Sequence, residues 1–215
     1  MKDFSNVKFK WTFRDYQQAV LDNSQKHLKD KRIHIVAAPG SGKTILGLEL
    51  VRRQNAPALV MSPSVTIRQQ WGERFVEAYL PETENPDEYI SYSLTKPKLI
   101  TSITYQALHA AFTKSVMESE ADEDEFEAEE TQDFSNFDLL AEIKKAGIKT
   151  ICLDEAHHLK SEWQKALEKF VAMLGDGVTI IALTATPPYD SAPAEWNRYQ
   201  TLCGEIDEEI FVPQL

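Results

Sequence analysis

A glycine-rich run, Ala37-Ala38-Pro39-Gly40-Ser41-Gly42-Lys43-Thr44, follows an apolar stretch and precedes an amphipathic one. Residues of these types at this spacing suit the cradling of phosphate oxygens. Gly40 and Gly42 let the backbone turn its N–H groups toward the anion, Pro39 and Ser41 complete the loop, and the helix that follows presents its positive end. Lys43 can reach the outer phosphates, and the Thr44 hydroxyl can complete a magnesium shell. A second constellation, Asp154-Glu155-Ala156-His157, ends the apolar run from Thr150 to Leu153. Carboxylates delivered to the end of a buried strand stand where open parallel sheets bind ligands. There Asp154 would hold the metal through water, and Glu155 would orient and deprotonate the attacking water. The two together imply a nucleoside triphosphate and magnesium as ligands.

Such groups need a rigid frame. Five short apolar runs, "IHIVAA", "ALVMS", "KLITS", "TICLD" and "TIIALT", alternate with stretches of helical periodicity. That alternation predicts an α/β fold, a mainly parallel central β-sheet with helices on both faces. The clearest helix begins at Ser161, where Gln164 completes a capping box, and Gly175 is its terminator. Trp163, Ala166, Leu167, Phe170, Val171 and Leu174 share its apolar face. Helices are also predicted over 64–80 and 104–117, and Trp71 on the first of them reads as core. One domain over 1–215 is expected, led in by a short amino-terminal segment at about 11–30 that carries a helix around Asp15 to Lys29.

Composition narrows the partners. The chain has 215 residues and a formal net charge of −11, but the stretch 118–133 holds ten acids and no base. Without those ten the balance rises from −11 to −1, so the acidic total does not argue against a nucleic-acid surface elsewhere. The run itself reads as a mobile, solvated insertion. No stretch is long and apolar enough to span a bilayer, and the amino terminus lacks a leader-like segment, so a cytoplasmic protein with no membrane partner is expected. Two cysteines, Cys152 and Cys203, make no disulfide framework.

The motifs, taken in order, resemble those of superfamily 2 helicases and translocases. "AAPGSGKT", "DEAH" and "LTATPP" are similar to motifs I, II and III of that group. "FRDYQ", Phe13 to Gln17, resembles the element before motif I in the branch containing type III restriction subunits and XPB-like or RecG-like enzymes. The resemblance implies a RecA-like nucleotide-binding fold. It also implies that Gln17 reads the adenine edge and that Arg14 or a nearby aromatic packs on the base. "MSPSVTIRQQW" and "ITSITYQAL" resemble motifs Ia and Ib, which makes Ser62, Ser64, Thr104 and Gln106 candidates for contacts to a strand's phosphates. Taken alone, Ser64 would be a helix cap. His157 with Thr184 and Thr186 would couple the hydrolytic end to the nucleic-acid face.

By the same resemblance the family works with two lobes, and the second supplies arginines that stabilise the transferred phosphate. Here only the first is expected. After "LTATPP" the chain offers Arg198 but no further phosphate motif, and "GEIDEEIFVPQL" resembles the start of the connection to the other lobe. The lobe should bind Mg-ATP, turn it over slowly and not unwind alone. DNA is the expected polynucleotide, because "TAT" and the Arg-x-Tyr-Gln start resemble the DNA-acting branch. The alternatives are an RNA-acting lobe, or a truncated nucleotide-sensing module that docks through its acidic run. Oligomeric state is not encoded in any of these features.

Overall fold

The computed structural model describes residues 1–116, 138–159 and 161–210. The acidic run at 118–133 lies outside the described residues, as does the end of "GEIDEEIFVPQL" past 210. The chain runs α1 (Asp15–His27), β1 (Arg32–Ala37), α2 (Lys43–Gln54), β2 (Ala58–Ser62), α3 (Val65–Ala78), β3 (Ile90–Ser91) and β4 (Ile100–Thr104). It continues through α4 (Tyr105–Val116), α5 (Leu139–Lys145), β5 (Thr150–Asp154), α6 (Ser161–Leu174), β6 (Thr179–Thr184), α7 (Pro193–Cys203) and β7 (Glu208–Ile210).

The seven strands form one sheet in the order β3-β4-β2-β5-β6-β1-β7, and every pairing is parallel. All carboxyl ends therefore lie along one edge. Each apolar run of the sequence became a strand because both faces of the sheet are covered, so inward and outward positions alike must be apolar. Period-two alternation then divides the side chains between two cores. Ile33, Ile35, Val60, Cys152, Ile181 and Leu183 face α1, α2 and α3. Leu59, Met61, Ile151, Leu153, Ile180 and Ala182 face α4 to α7.

Two strands and two helices were not anticipated. β3 is two residues long, and β7 reads Glu-Glu-Ile, with none of the apolar content of a central strand. Both are edge strands, which need only one ladder: β3 is buried but too short to show a pattern, and β7 is only partly buried. α5 and α7 complete the second face, contributing Leu139 and Ile143, and Tyr199, Leu202 and Cys203. In α6 the predicted face is the packed one: Ala166, Leu167, Phe170 and Val171 are buried. Among the described residues no helix is long and apolar enough to cross a membrane.

Candidate active site at the carboxyl edge of the sheet

The glycine loop joins the end of β1 to α2. Gly40 and Gly42 adopt φ of +72° and +95°, where a side chain is strained, and Gly42 caps the helix. A Cβ on Gly42 would lie 2.7 Å from Gln17 Nε2 and 3.3 Å from the Tyr16 hydroxyl, so glycine is required there twice over. Lys43 folds back over the loop. Its ammonium donates to the Ala37 carbonyl at 2.9 Å and lies 3.2 Å from Glu155 Oε1. Thr44 follows in the first turn of α2, partly exposed.

The amino-terminal segment grips this loop. Arg14 donates to the Ser41 carbonyl at 3.0 Å and to that of Gly40 at 3.5 Å. Gln17 is 3% exposed; its amide nitrogen donates to the Gly42 carbonyl at 3.1 Å and its oxygen accepts from the Arg14 backbone N–H at 2.9 Å. Both residues that the resemblance assigns to a base are thus engaged with the phosphate loop and with each other.

The two acids diverge. Asp154 still belongs to the strand, is 7% exposed, and accepts the Trp71 indole N–H on Oδ2 at 2.8 Å. Burial pushes its carboxyl up to about 6, against the opposing pull of the Trp71 bond and with the help of the Glu155 charge. Glu155 leaves the strand with φ of +52°, a left-handed conformation unusual outside glycine. Its backbone N–H donates to the Leu183 carbonyl at 2.8 Å, fixing the turn against β6. That turn aims its carboxylate at Lys43 on one side and at the end of β6 on the other. Oε2 accepts from the Thr184 hydroxyl and the Ala185 N–H, each at 2.9 Å.

His157 completes the cluster. Its Nδ1 lies 2.7 Å from the Thr184 hydroxyl and its Nε2 3.0 Å from that of Thr186. The loop, the acids, the histidine and the threonines therefore form one contiguous polar site, assembled from the carboxyl ends of β1, β5 and β6.

Four further expectations fare differently. Ser62 is fully buried and its hydroxyl leans on the Ile103 carbonyl at 3.4 Å. Thr104 is 1% exposed and caps α4, accepting the Ala107 N–H at 3.1 Å. Neither hydroxyl is open to a strand phosphate, which corrects the expectation: at a strand end in a covered sheet, a small polar side chain turns inward and satisfies local backbone. Ser64 caps α3 through the Ile67 N–H at 3.3 Å. Gln106 is partly exposed in the first turn of α4. Arg198 pairs with Glu168 of α6 at 2.9 Å.

The sequence reading missed two residues that shape the site. Trp71 was assigned to the core; it is core at 1% exposure, yet its N–H also holds Asp154. The Tyr105 hydroxyl donates to the Asp154 carbonyl at 3.0 Å. A buried indole or phenol must find a partner, and that requirement was the available signal; which partner depended on the fold.

The residues fit a magnesium nucleotide. The Ser41 and Tyr16 hydroxyls are buried around the loop with no hydrogen-bond partner, so the loop holds unspent polar capacity. The positive-φ glycines, a lysine and two carboxylates supply the donor set that triphosphate and metal need.

Comparison with known proteins agrees. The family described as "Type III restriction enzyme, res subunit" matches residues 10–189. The DNA 3'-5' translocase XPB2 of Sulfurisphaera tokodaii is 30% identical over 203 residues, covering 94% of this chain and 37% of that protein. In fold, the chain resembles the Hef helicase domain of Pyrococcus furiosus, with a TM-score of 0.60 and 17% identity over 92% of this chain and 38% of that one. It also resembles the UvsW helicase of bacteriophage T4, with a TM-score of 0.56 and 13% identity over 95% of this chain and 62% of that one. A hypothetical ATP-dependent RNA helicase from Sulfolobus tokodaii gives a TM-score of 0.57 at 14% identity, covering 93% and 53%. The chain spans less than two thirds of each of these relatives. It belongs to the type III restriction enzyme res-subunit family and carries the ATPase lobe of superfamily 2 helicases and translocases.

Proposed function

We propose that this lobe binds Mg-ATP between the glycine loop and the Asp154–Glu155 edge and hydrolyses it to drive movement on DNA. The observation that carries the reading is the 3.2 Å contact between Lys43 Nζ and Glu155 Oε1. It brings together a lysine suited to phosphate and a carboxylate suited to activating water, from segments more than a hundred residues apart, which supports the reading. Thr44 and Asp154 would hold magnesium, which when bound neutralises charge on the phosphate oxygens. Arg14, Gln17 and residues 39–44 hold the nucleotide, with Gln17 and Arg14 locking the loop from behind.

Glu155 then acts as the base. The Ala185 N–H is shared between its two oxygens, at 2.9 Å from Oε2 and 3.2 Å from Oε1, and Oε2 also takes the Thr184 hydroxyl, so the proton of the attacking water passes to Oε1, the oxygen that faces Lys43. His157, bonded to Thr184 and Thr186, links this carboxylate to the exposed turn at Thr186, where a change at one end can be felt at the other. On the polynucleotide side Ser64 and Gln106 remain the candidates. The DNA assignment is favoured by the named translocase relative.

The activity of the whole motor, with a second lobe that supplies further phosphate contacts, belongs to the same proposal. ATP turnover by the full-length protein, measured alone and with single-stranded DNA, duplex DNA or RNA, tests it. DNA should raise the rate and RNA should not. Stimulation by RNA alone would reassign the substrate, and indifference to every polynucleotide would refute a nucleic-acid motor.

A further inference from the structure

Helix α1 is held at both ends by parts of the chain distant in sequence. At its start Arg14 donates to the Ser41 carbonyl and Gln17 to that of Gly42, which grips the phosphate loop. At its last turn the grip is on β7. His27 Nδ1 lies 3.1 Å from Asp207 Oδ1 and its Nε2 2.8 Å from Glu208 Oε1, and the Asn23 side chain donates to the same Glu208 oxygen at 3.4 Å. Carboxylate oxygens only accept, so both ring nitrogens act as donors. The histidine side chain is 16% exposed and those of the acids 24%, which partly shields the contacts from the water that weakens surface ion pairs.

The strand held in this way has little else to fix it. Among the described strands β7 pairs only with β1, over three residues, and it is only partly buried. Its entry is set by Asp207, whose Oδ2 accepts the His34 N–H while its own N–H donates to the His34 carbonyl, both at 2.9 Å. Its far end lies beside the phosphate loop. Ile210 is paired with Ala37, the residue whose carbonyl takes the Lys43 ammonium at 2.9 Å. Both α1 and β7 therefore abut the loop at the carboxyl edge, and away from that edge they are clasped to each other. The helix between the two grips is stiff: Val20, Leu21 and Ser24 are buried, and Gln17 to His27 spans about 15 Å of regular helix.

We infer that His27, Asp207 and Glu208 form a clasp that couples nucleotide at the glycine loop to the ordering of β7. Nucleotide shifts such an equilibrium only through what it binds more tightly, and what it binds is the loop that Arg14 and Gln17 hold. A nucleotide that settles that grip also holds β7 in the sheet, and a β7 clasped to α1 tightens the nucleotide site in return. Asp207 and Glu208 lie past residue 189, where the family match ends, and His27 belongs to none of the motifs. The inference rests on the reading that the loop binds a magnesium nucleotide. His27 touches no reacting atom; it is a positioning residue that acts through α1.

The test is amide hydrogen exchange over residues 207–210 of the full-length protein, with and without magnesium and a non-hydrolysable ATP analogue, beside calorimetric titration of the same analogue. In the wild type the bound analogue should slow exchange in that segment about fivefold or more, the low end of couplings between sites. His27→Leu should abolish the slowing and weaken the analogue by about the same factor, because such coupling is reciprocal. A clasp that only braces the fold would lower stability, yet leave the affinity unchanged and the wild-type segment indifferent to the analogue; either result overturns the inference. If His27→Leu does not fold, Glu208→Gln keeps the shape of the clasp and removes one charge. It should reduce the slowing at least twofold, and slowing at the wild-type level there would overturn the inference as well. A wild type that does not bind the analogue overturns the reading of the loop and the inference with it, whereas binding that leaves 207–210 unmoved overturns the inference alone.

Discussion

Replacing Asp154 with Asn should make the protein more stable while disabling it. The carboxyl is 7% exposed. Burial raises its pKa from 3.8 to about 6; the Trp71 bond opposes the rise, Glu155 adds to it and Lys43 opposes it. A carboxyl raised in the fold weakens stability as pH climbs from 3.8 to about 6, and the full penalty stands above that. At about 1.36 kcal/mol per pH unit the gap amounts to about 3 kcal/mol at pH 7.5. For a domain of this size that is roughly 6 to 12 °C in Tm. Asparagine has nearly the same shape and still accepts the Trp71 N–H, but carries no charge to desolvate. The assay is thermal and urea unfolding of both proteins in EDTA without nucleotide, at pH 7.5 and pH 5. The variant should lead by about 3 kcal/mol at pH 7.5 and by about half that at pH 5, since the wild-type carboxyl is then largely protonated. Adding Mg-ATP should stabilise the wild type and not the variant. A variant no more stable than wild type at pH 7.5, or a lead that does not shrink in acid, would refute the reasoning.

Three other outcomes follow from the same geometry. Gly42→Ala should abolish nucleotide binding and cost about 1–3 kcal/mol in urea unfolding, from strain at φ of +95° and the contact with Gln17, whereas Gly40→Ala, with open space around its Cβ, should cost only the strain, about 1 kcal/mol. Trp71→Phe keeps most of the packing but removes the N–H held by Asp154; calorimetric titration should show Mg-ATP affinity lowered about tenfold, the scale of one charged hydrogen bond. Burial opposes ionisation of Glu49, yet Arg52 and Arg53 overcome it and hold the carboxyl below its usual range. A depressed carboxyl stabilises above its unfolded pKa and loses that stability as pH falls through its folded value, so Glu49→Gln should lower stability at pH 7 by chemical unfolding, a deficit that narrows as pH falls below 4.5.

The central strands and the two motifs were legible because burial on both faces and phosphate chemistry each impose a local pattern. β1, β2, β4, β5 and β6 read as short runs rich in apolar and β-branched residues, and the loop and the acids each lie within a few consecutive residues. What the sequence hid is of two kinds. β3 and β7 are edge strands: β3 has only two residues, and β7 is only partly buried, so "EEI" carries no strand signature. The supporting side chains come from afar: Trp71 reaches Asp154 across 83 positions, and His27 meets Glu208 across 181. No local window contains both partners. Ser62 and Thr104 illustrate the reverse error. Their types suit phosphate contacts, but only the fold shows that both hydroxyls face protein.

The account's central claim is that Lys43 and Glu155 share one triphosphate, the lysine to hold it and the carboxylate to cleave it. Binding and turnover of Mg-ATP, measured side by side for Lys43→Ala and Glu155→Gln, test it most directly. Lys43→Ala should lose binding and turnover together, while Glu155→Gln should bind as tightly as the wild type or tighter and turn over at least a hundredfold more slowly, the usual scale of general base catalysis. Equal losses of binding in the two variants, or Glu155→Gln turning over at the wild-type rate, would contradict it.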